Sequence, residues 1–159
     1  MENQSFDEVY ETYGKMLYRT AFLYLGNADD TEDILQEVFI KYLTARPTFN
    51  DTEHEKAWLL LVTRNACRNY VKKHRKGNVS LEDYDAPADT PDRDAHLDII
   101  KQLTALPPKY KEVIILFYYN NLTVAEIAKL LGITQSAVKM RLKRGKGKLK
   151  TKLEGYGDE

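Results

Sequence analysis

The stretch LTVAEIAKLLGITQSAVKMRLKRG, residues 122–145, decides how the chain is read. Thr123 and Glu126 have the spacing of a capping box, in which two orphaned N–H groups at a helix start find side-chain partners. Ala125, Ile127, Ala128 and Leu131 are small or apolar and let a second helix approach closely. Gly132 supplies the freedom in φ that a sharp turn needs. Thr134 is placed to cap the second helix, along which Val138, Leu142 and Leu149 recur at helical spacing and point inward. Gln135, Ser136, Lys139, Met140, Lys143 and Arg144 are left to face out. Helix, tight turn and cationic second helix form the layout of a helix-turn-helix, whose second helix enters the DNA major groove. The plainer reading is a helical hairpin with a solvated basic face. Cap, turn and charge in one segment favour duplex DNA.

The 159 residues leave room for one domain or two small ones, and 43% hydrophobic content is enough for real cores. No apolar run is long enough to span a bilayer, and the first residues lack the pattern of a signal peptide, so a cytoplasmic protein is expected. The single cysteine, Cys67, lies in an apolar-periodic segment and reads as a small core residue rather than a nucleophile. His54, His74 and His96 have no partners at metal-ligand spacing, so no metal or cofactor is expected. No carboxylate pair or nucleophile with an adjacent base stands out, which argues against an enzyme with a small-molecule substrate.

Formal net charge is zero, but the charge is striped. Residues 58–77 carry six cations and no acid, and residues 134–153 carry eight and none. Between them, residues 78–98 hold seven acids against one cation, and residues 1–57 hold twelve acids against five cations. Two separate phosphate-contacting surfaces would produce this pattern.

Almost every segment reads as helix. Phe6, Val9, Tyr10, Tyr13, Met16, Leu17, Ala21 and Tyr24 form one apolar stripe, ended by Gly26 and Asn27. Asp29 with Glu32, and Thr52 with Glu55, have capping-box spacing at the next two helix starts. Ile34, Leu35, Val38, Phe39, Tyr42 and Leu43 form the apolar side of the second helix. Pro47 marks a loop before the third, which runs to about Lys76. Gly77, Pro87, Pro91 and a load of Asp and Glu make residues 77–92 a flexible acidic linker. Beyond it, Leu97, Ile100 and Leu103 share a helix, and Pro107 and Pro108 open another with Val113, Ile114, Leu116, Phe117 and Tyr118. The expected fold is all-α: two small helical domains, residues 1–76 and 93–159, joined by that linker.

The second basic block, residues 58–76, places Leu59, Val62, Ala66 and Tyr70 on one face and Arg64, Arg68, Lys72 and Arg75 on another, with Lys73 beside them. Asn65 and Asn69 flank the cations. Cations at helical spacing suit a phosphate backbone, and carboxamides pair with base edges. Trp58 or Tyr70 could stack on an unpaired base, although a core role is the plainer reading of Trp58.

With DDTEDILQEVFIK (residues 29–41), KAWL (56–59), TRN (63–65), LPPKYKEV (106–113) and the helix-turn-helix in this order, the chain resembles the extracytoplasmic-function, or group IV, sigma factors of bacterial RNA polymerase. The resemblance implies a sigma-2 domain, a linker and a sigma-4 domain. It implies three partners: core RNA polymerase (clamp helices of the largest subunit, and the flap), promoter DNA, and an anti-sigma factor that could hold the protein at the membrane. Asp33, Gln36, Glu37 and Ile40 would meet the clamp helices. The loop from Arg46 to Glu55 would capture a flipped −10 base, with Asn65 and Ala45 bordering the pocket and Arg64, Arg68, Asn69, Lys72 and Lys73 along the DNA. Gln135, Ser136, Lys139, Met140, Lys143 and Arg144 would read the −35 element, with Arg141 and Lys146 on phosphates or in packing. Met140 and Thr63 depart from the commoner pattern, which has a small polar and a small apolar residue there. The competing expectation is a helix-turn-helix regulator that acts without the polymerase core.

Overall fold

The computed structural model of the protein describes residues 5–74 and 93–152. The acidic segment 77–92 and the helix end at Arg75 and Lys76 lie outside them. The elements are α1 (Phe6–Leu25), α2 (Ala28–Ala45), α3 (Thr52–His74), α4 (Arg93–Thr104), α5 (Pro108–Ile114), α6 (Val124–Leu131) and α7 (Gln135–Lys152), with no strand among the described residues. Two compact units result: residues 1–25 with 29–76, and residues 26–28 with 77–159.

In the first unit, Val9, Tyr13, Leu17, Ala21 and Tyr24 of α1 are buried as the stripe predicts. Phe6 and Tyr10 are not: they stay 41% and 53% exposed, clustered with Phe39 of α2. Their stripe runs past the part of α1 that its neighbours cover. Gly26 ends α1 in the left-handed region, at φ 72°, where a side chain would be strained.

The start of α2 differs from expectation. The helix begins at Ala28, so Asp29 and Asp30 lie inside its first turn rather than capping it. Carboxylates there are favoured by the partial positive charge of the helix N-terminus. Asp30 is also buried, and it accepts a hydrogen bond from the Tyr70 hydroxyl near the end of α3. That bond pushes the Tyr70 phenol up to about 12.

The start of α3 differs more instructively. Asp51, not Thr52, is the cap, accepting from the His54 N–H at 2.8 Å. Glu55 does not fold back as a box partner. It turns inward, fully buried, and accepts from the hydroxyls of Tyr13 (3.1 Å) and Tyr42 (2.9 Å). One carboxylate thus joins α1, α2 and α3. The preceding loop is pinned by Phe49, buried against Tyr42, Trp58 and His54.

Along α3 the buried seam is Leu59, Leu60, Thr63, Ala66 and Cys67, while Val62 is only half-buried. Cys67 is buried and in no disulfide, in keeping with a core role. Thr63 has no exposure, and its hydroxyl finds no hydrogen-bond partner. Burying an unpaired hydroxyl costs roughly 1–3 kcal/mol. Thr63→Val keeps the shape and removes that cost, so it is expected to raise the unfolding free energy of this unit by about 1 kcal/mol. Denaturant unfolding of the full chain measures it, and an unchanged midpoint would mean that the hydroxyl is paired in solution.

In the second unit α5 is the hub. Tyr110 through Leu116 are buried without a break, because other helices surround this segment. The backbone widens into a π-helical turn over Ile115–Tyr119, and Asn121 then reverses the chain at φ 62°. Lys111 and Glu112 are buried in this run. Lys111 Nζ donates to the Thr104 carbonyl at 3.2 Å, and Glu112 faces Arg141 of α7 at 3.9 Å.

Candidate nucleic-acid interface

The helix-turn-helix is built by its local signals. The Thr123 hydroxyl accepts from the Glu126 N–H at 3.1 Å, and the Glu126 carboxylate accepts from the Thr123 N–H at 2.8 Å, completing the capping box. Gly132 turns left-handed at φ 71°, and the N–H groups of Gly132 and Ile133 both donate to the Ala128 carbonyl. The Thr134 hydroxyl then accepts from the Ala137 N–H at 3.0 Å and starts α7. Two capped ends and one glycine set the local geometry of the turn, and the buried Ile127, Ala128 and Val138 pack behind it.

Val138 and Leu142 of α7 are buried and Leu149 half-buried, which orients the helix. Gln135, Ser136, Lys139, Met140, Lys143 and Arg144 are all exposed. Arg141 stands apart from them: it is half-buried on the inner flank, facing the carboxylate of Glu112. A nearby cation stabilises a buried carboxylate, and Arg141 lies 3.9 Å from that of Glu112. Lys146 and Lys148 lean over the rings of Tyr118 and Tyr110. Seating α7 depends on a residue that spacing did not single out. A methyl group at Gly145 would lie 2.7 Å from Ile114 Cδ1 and 3.2 Å from Tyr110 Cβ, so only glycine lets α7 lie this close to α5.

In the first unit the basic face of α3 carries exposed Asn65, Arg68, Asn69, Lys72 and Lys73. Arg64 is half-buried and donates to the Asn65 amide oxygen at 3.0 Å. Trp58 is half-buried, its ring edge-on to Tyr42 and Phe49, and Tyr70 stacks on His74 at 4.0 Å. Ala45 is exposed at the end of α2, and Arg46 after it turns left-handed at φ 48°, since Pro47 bars it from continuing the helix.

Asp33, Gln36, Glu37 and Ile40 are exposed at three- and four-residue spacing and make one ridge along α2. Ile40, at 60% exposure, is an apolar residue set in an acidic and amide surface. Beside the ridge lies a groove of about 560 Å³ between α1 and α2, lined in part by Phe6, Tyr10, Phe39 and Ile40. Phe6 and Tyr10 were legible only as core residues, because helical spacing cannot tell a covered stripe from one left open for a partner. No helix among the described residues is long and apolar enough to cross a membrane.

Residues 9–77 match the family model for sigma-70 region 2, and residues 96–149 match that for sigma-70 region 4. The RNA polymerase sigma factor SigV of Bacillus subtilis is 32% identical over 80% of this chain and 78% of its own length. The ECF RNA polymerase sigma factor SigM of the same organism is 30% identical over 96% of this chain and 98% of its own length. The ECF RNA polymerase sigma factor SigE of Mycolicibacterium smegmatis is 30% identical over 98% of this chain, which spans 64% of that longer protein. Among solved structures, the fold is similar to Bartonella quintana sigma factor RpoE in complex with the anti-sigma factor NepR, with TM-score 0.80, 21% identity and coverage of 96% and 98%. It is also similar to CnrH in complex with the cytosolic domain of CnrY, with TM-score 0.70, 22% identity and coverage of 96% and 89%.

Proposed function

The chain belongs to the extracytoplasmic-function sigma factors of the sigma-70 family, and on that premise we propose that it binds core RNA polymerase and directs it to promoters. One observation carries this reading beyond DNA binding in general. The same chain that presents a capped helix-turn-helix also presents the exposed ridge of Asp33, Gln36, Glu37 and Ile40. The region 2 match over residues 9–77 disfavours a regulator that acts on DNA alone.

The division of labour runs as follows. The α2 ridge, with the neighbouring Phe6 and Tyr10, docks on the polymerase. Its polar residues keep the free protein soluble, and its apolar strip gains from burial on docking. Asn65 and Asn69 meet unpaired bases of the −10 element while Arg68, Lys72 and Lys73 track its phosphates. Extruding a base costs roughly a few kcal/mol, which specific contacts offset only in the right sequence. The outward face of α7 reads the −35 element. An anti-sigma factor is the proposed regulator, and the cytoplasm the proposed compartment. The relatives are sigma factors, so the catalytic chemistry belongs to the polymerase.

Lys139→Ala with Arg144→Ala is expected to lower −35-dependent initiation roughly tenfold or more, since each good base contact is worth about 1–3 kcal/mol. Core binding should stay as it was. Glu37→Lys is expected to do the reverse, weakening association with core and leaving the DNA-reading face untouched. Run-off transcription and a core-binding assay separate the two. Equal loss of polymerase association in both variants contradicts this assignment.

A further inference from the structure

Met140 is the outlier on α7: a large apolar side chain, 51% exposed, on a face otherwise made of Gln, Ser, Lys and Arg. Its position is as informative as its chemistry. On a helix turning roughly 100° per residue, Met140 lies about 180° from the line through Val138, Leu142 and Leu149 that faces the core. It therefore occupies the crest of the outward face, with Lys143 and Arg144 on its two flanks and Ser136 one turn before it. When a recognition helix enters the major groove, the residue at the crest of its outward face lies deepest, against the base edges on the floor, while its flanks reach base edges nearer the walls or the phosphates. The floor of the major groove carries donors and acceptors on every base pair. It offers one apolar projection, the 5-methyl group of thymine. A thioether can neither donate a hydrogen bond nor accept more than a weak one, so polar edges gain nothing from it.

Resting on the −35 reading above, we infer that Met140 selects an A·T pair in the upstream element by packing on the thymine 5-methyl group. The residue is specificity-determining for that one pair, alongside the polar contacts of its neighbours. The sulfur and its flexible chain suit this contact, because methionine adapts to a methyl group without a fixed ring or branch.

Deoxyuridine tests the inference directly, since it keeps the base pair and lacks only the methyl group. Holoenzyme assembled from core polymerase and the full chain selects its promoters from randomised duplexes. Each thymine of the selected upstream element is then replaced singly by deoxyuridine. Wild-type holoenzyme is expected to lose about fourfold in affinity at one thymine, the worth of one buried methyl group. Holoenzyme with Met140→Ala should bind both forms equally, and Met140→Leu should keep the discrimination. An element without a specified A·T pair, uracil tolerated at every position, or an unchanged thymine-to-uracil ratio in Met140→Ala overturns the inference and leaves the promoter-directing function standing. Failure of wild-type holoenzyme to select any sequence removes that function, and this inference with it.

Discussion

Glu55→Ala is expected to cost about 3–5 kcal/mol and to melt the first unit well below the wild-type temperature. The carboxylate is fully buried and accepts from the hydroxyls of Tyr13 and Tyr42, themselves buried. Truncation leaves two phenol hydrogens without acceptors and opens a void where three helices meet. Each orphaned hydroxyl costs roughly 1–3 kcal/mol, and the cavity adds to that. A domain of this size has only about 5–10 kcal/mol to lose. The triple change Glu55→Met, Tyr13→Phe, Tyr42→Phe should recover most of the loss, because it removes donors and acceptor together and refills the space. Thermal unfolding followed by circular dichroism tests both variants. A Glu55→Ala protein within about 1 kcal/mol of wild type would show that the three-helix junction does not depend on this carboxylate.

The same junction sets a pH dependence. Burial, and then the nearby Glu55, push the Tyr13 phenol from 10.0 up to about 12. The neutral phenol is the form that the fold favours. Its contribution is therefore complete below pH 10 and is lost as pH rises from there through about 12. Tyr13→Phe should reduce the slope across that window and leave the part that Tyr70 contributes.

Gly145→Val is expected to destabilise the second unit by about 3 kcal/mol or more and to abolish upstream-element binding. The Ile114 δ-methyl that a new Cβ would meet at 2.7 Å is a side-chain end, but Ile114 is buried and has little space to swing away. Tyr110 Cβ, 3.2 Å distant, is tied to the backbone and moves only with α5. Pushing α7 off α5 also separates Arg141 from the buried Glu112. Gly147 is the internal control. A Cβ there meets nothing within 4 Å, so Gly147→Ala should raise stability by about 1 kcal/mol through helix propensity alone. Two glycines two positions apart thus respond in opposite directions. Calorimetry on the full chain resolves the pair, and Gly145→Val with an unchanged transition would place α7 farther from α5 than it lies here.

Much of the fold was legible because its signals are local. The capping box at Thr123, the left-handed Gly132 and the cap at Thr134 each depend on residues within a few positions of one another, so spacing alone reveals them. The outward set on α7 followed from the inward set by helical periodicity. Where a second local arrangement competed, the reading slipped. Thr52 and Glu55 have the spacing of a box, yet Asp51 is nearer to the cap geometry, and Glu55 has better partners in two other helices. Phe49 sat in what read as a loop, and only contact with Tyr42 and Trp58 makes it core.

The amino-acid sequence by itself determined the helices, their order, the caps and turn of the DNA-reading motif, the two cationic faces and the acidic ridge. Those follow from residue type and short-range spacing, where backbone geometry repeats. The tertiary structure alone decided that Glu55 is a junction and not a cap, that Phe6 and Tyr10 are left open beside the ridge, that Arg141 faces Glu112, and that Gly145 is a contact point. Each depends on which surface a neighbouring helix happens to cover, and periodicity along one chain segment carries no record of that.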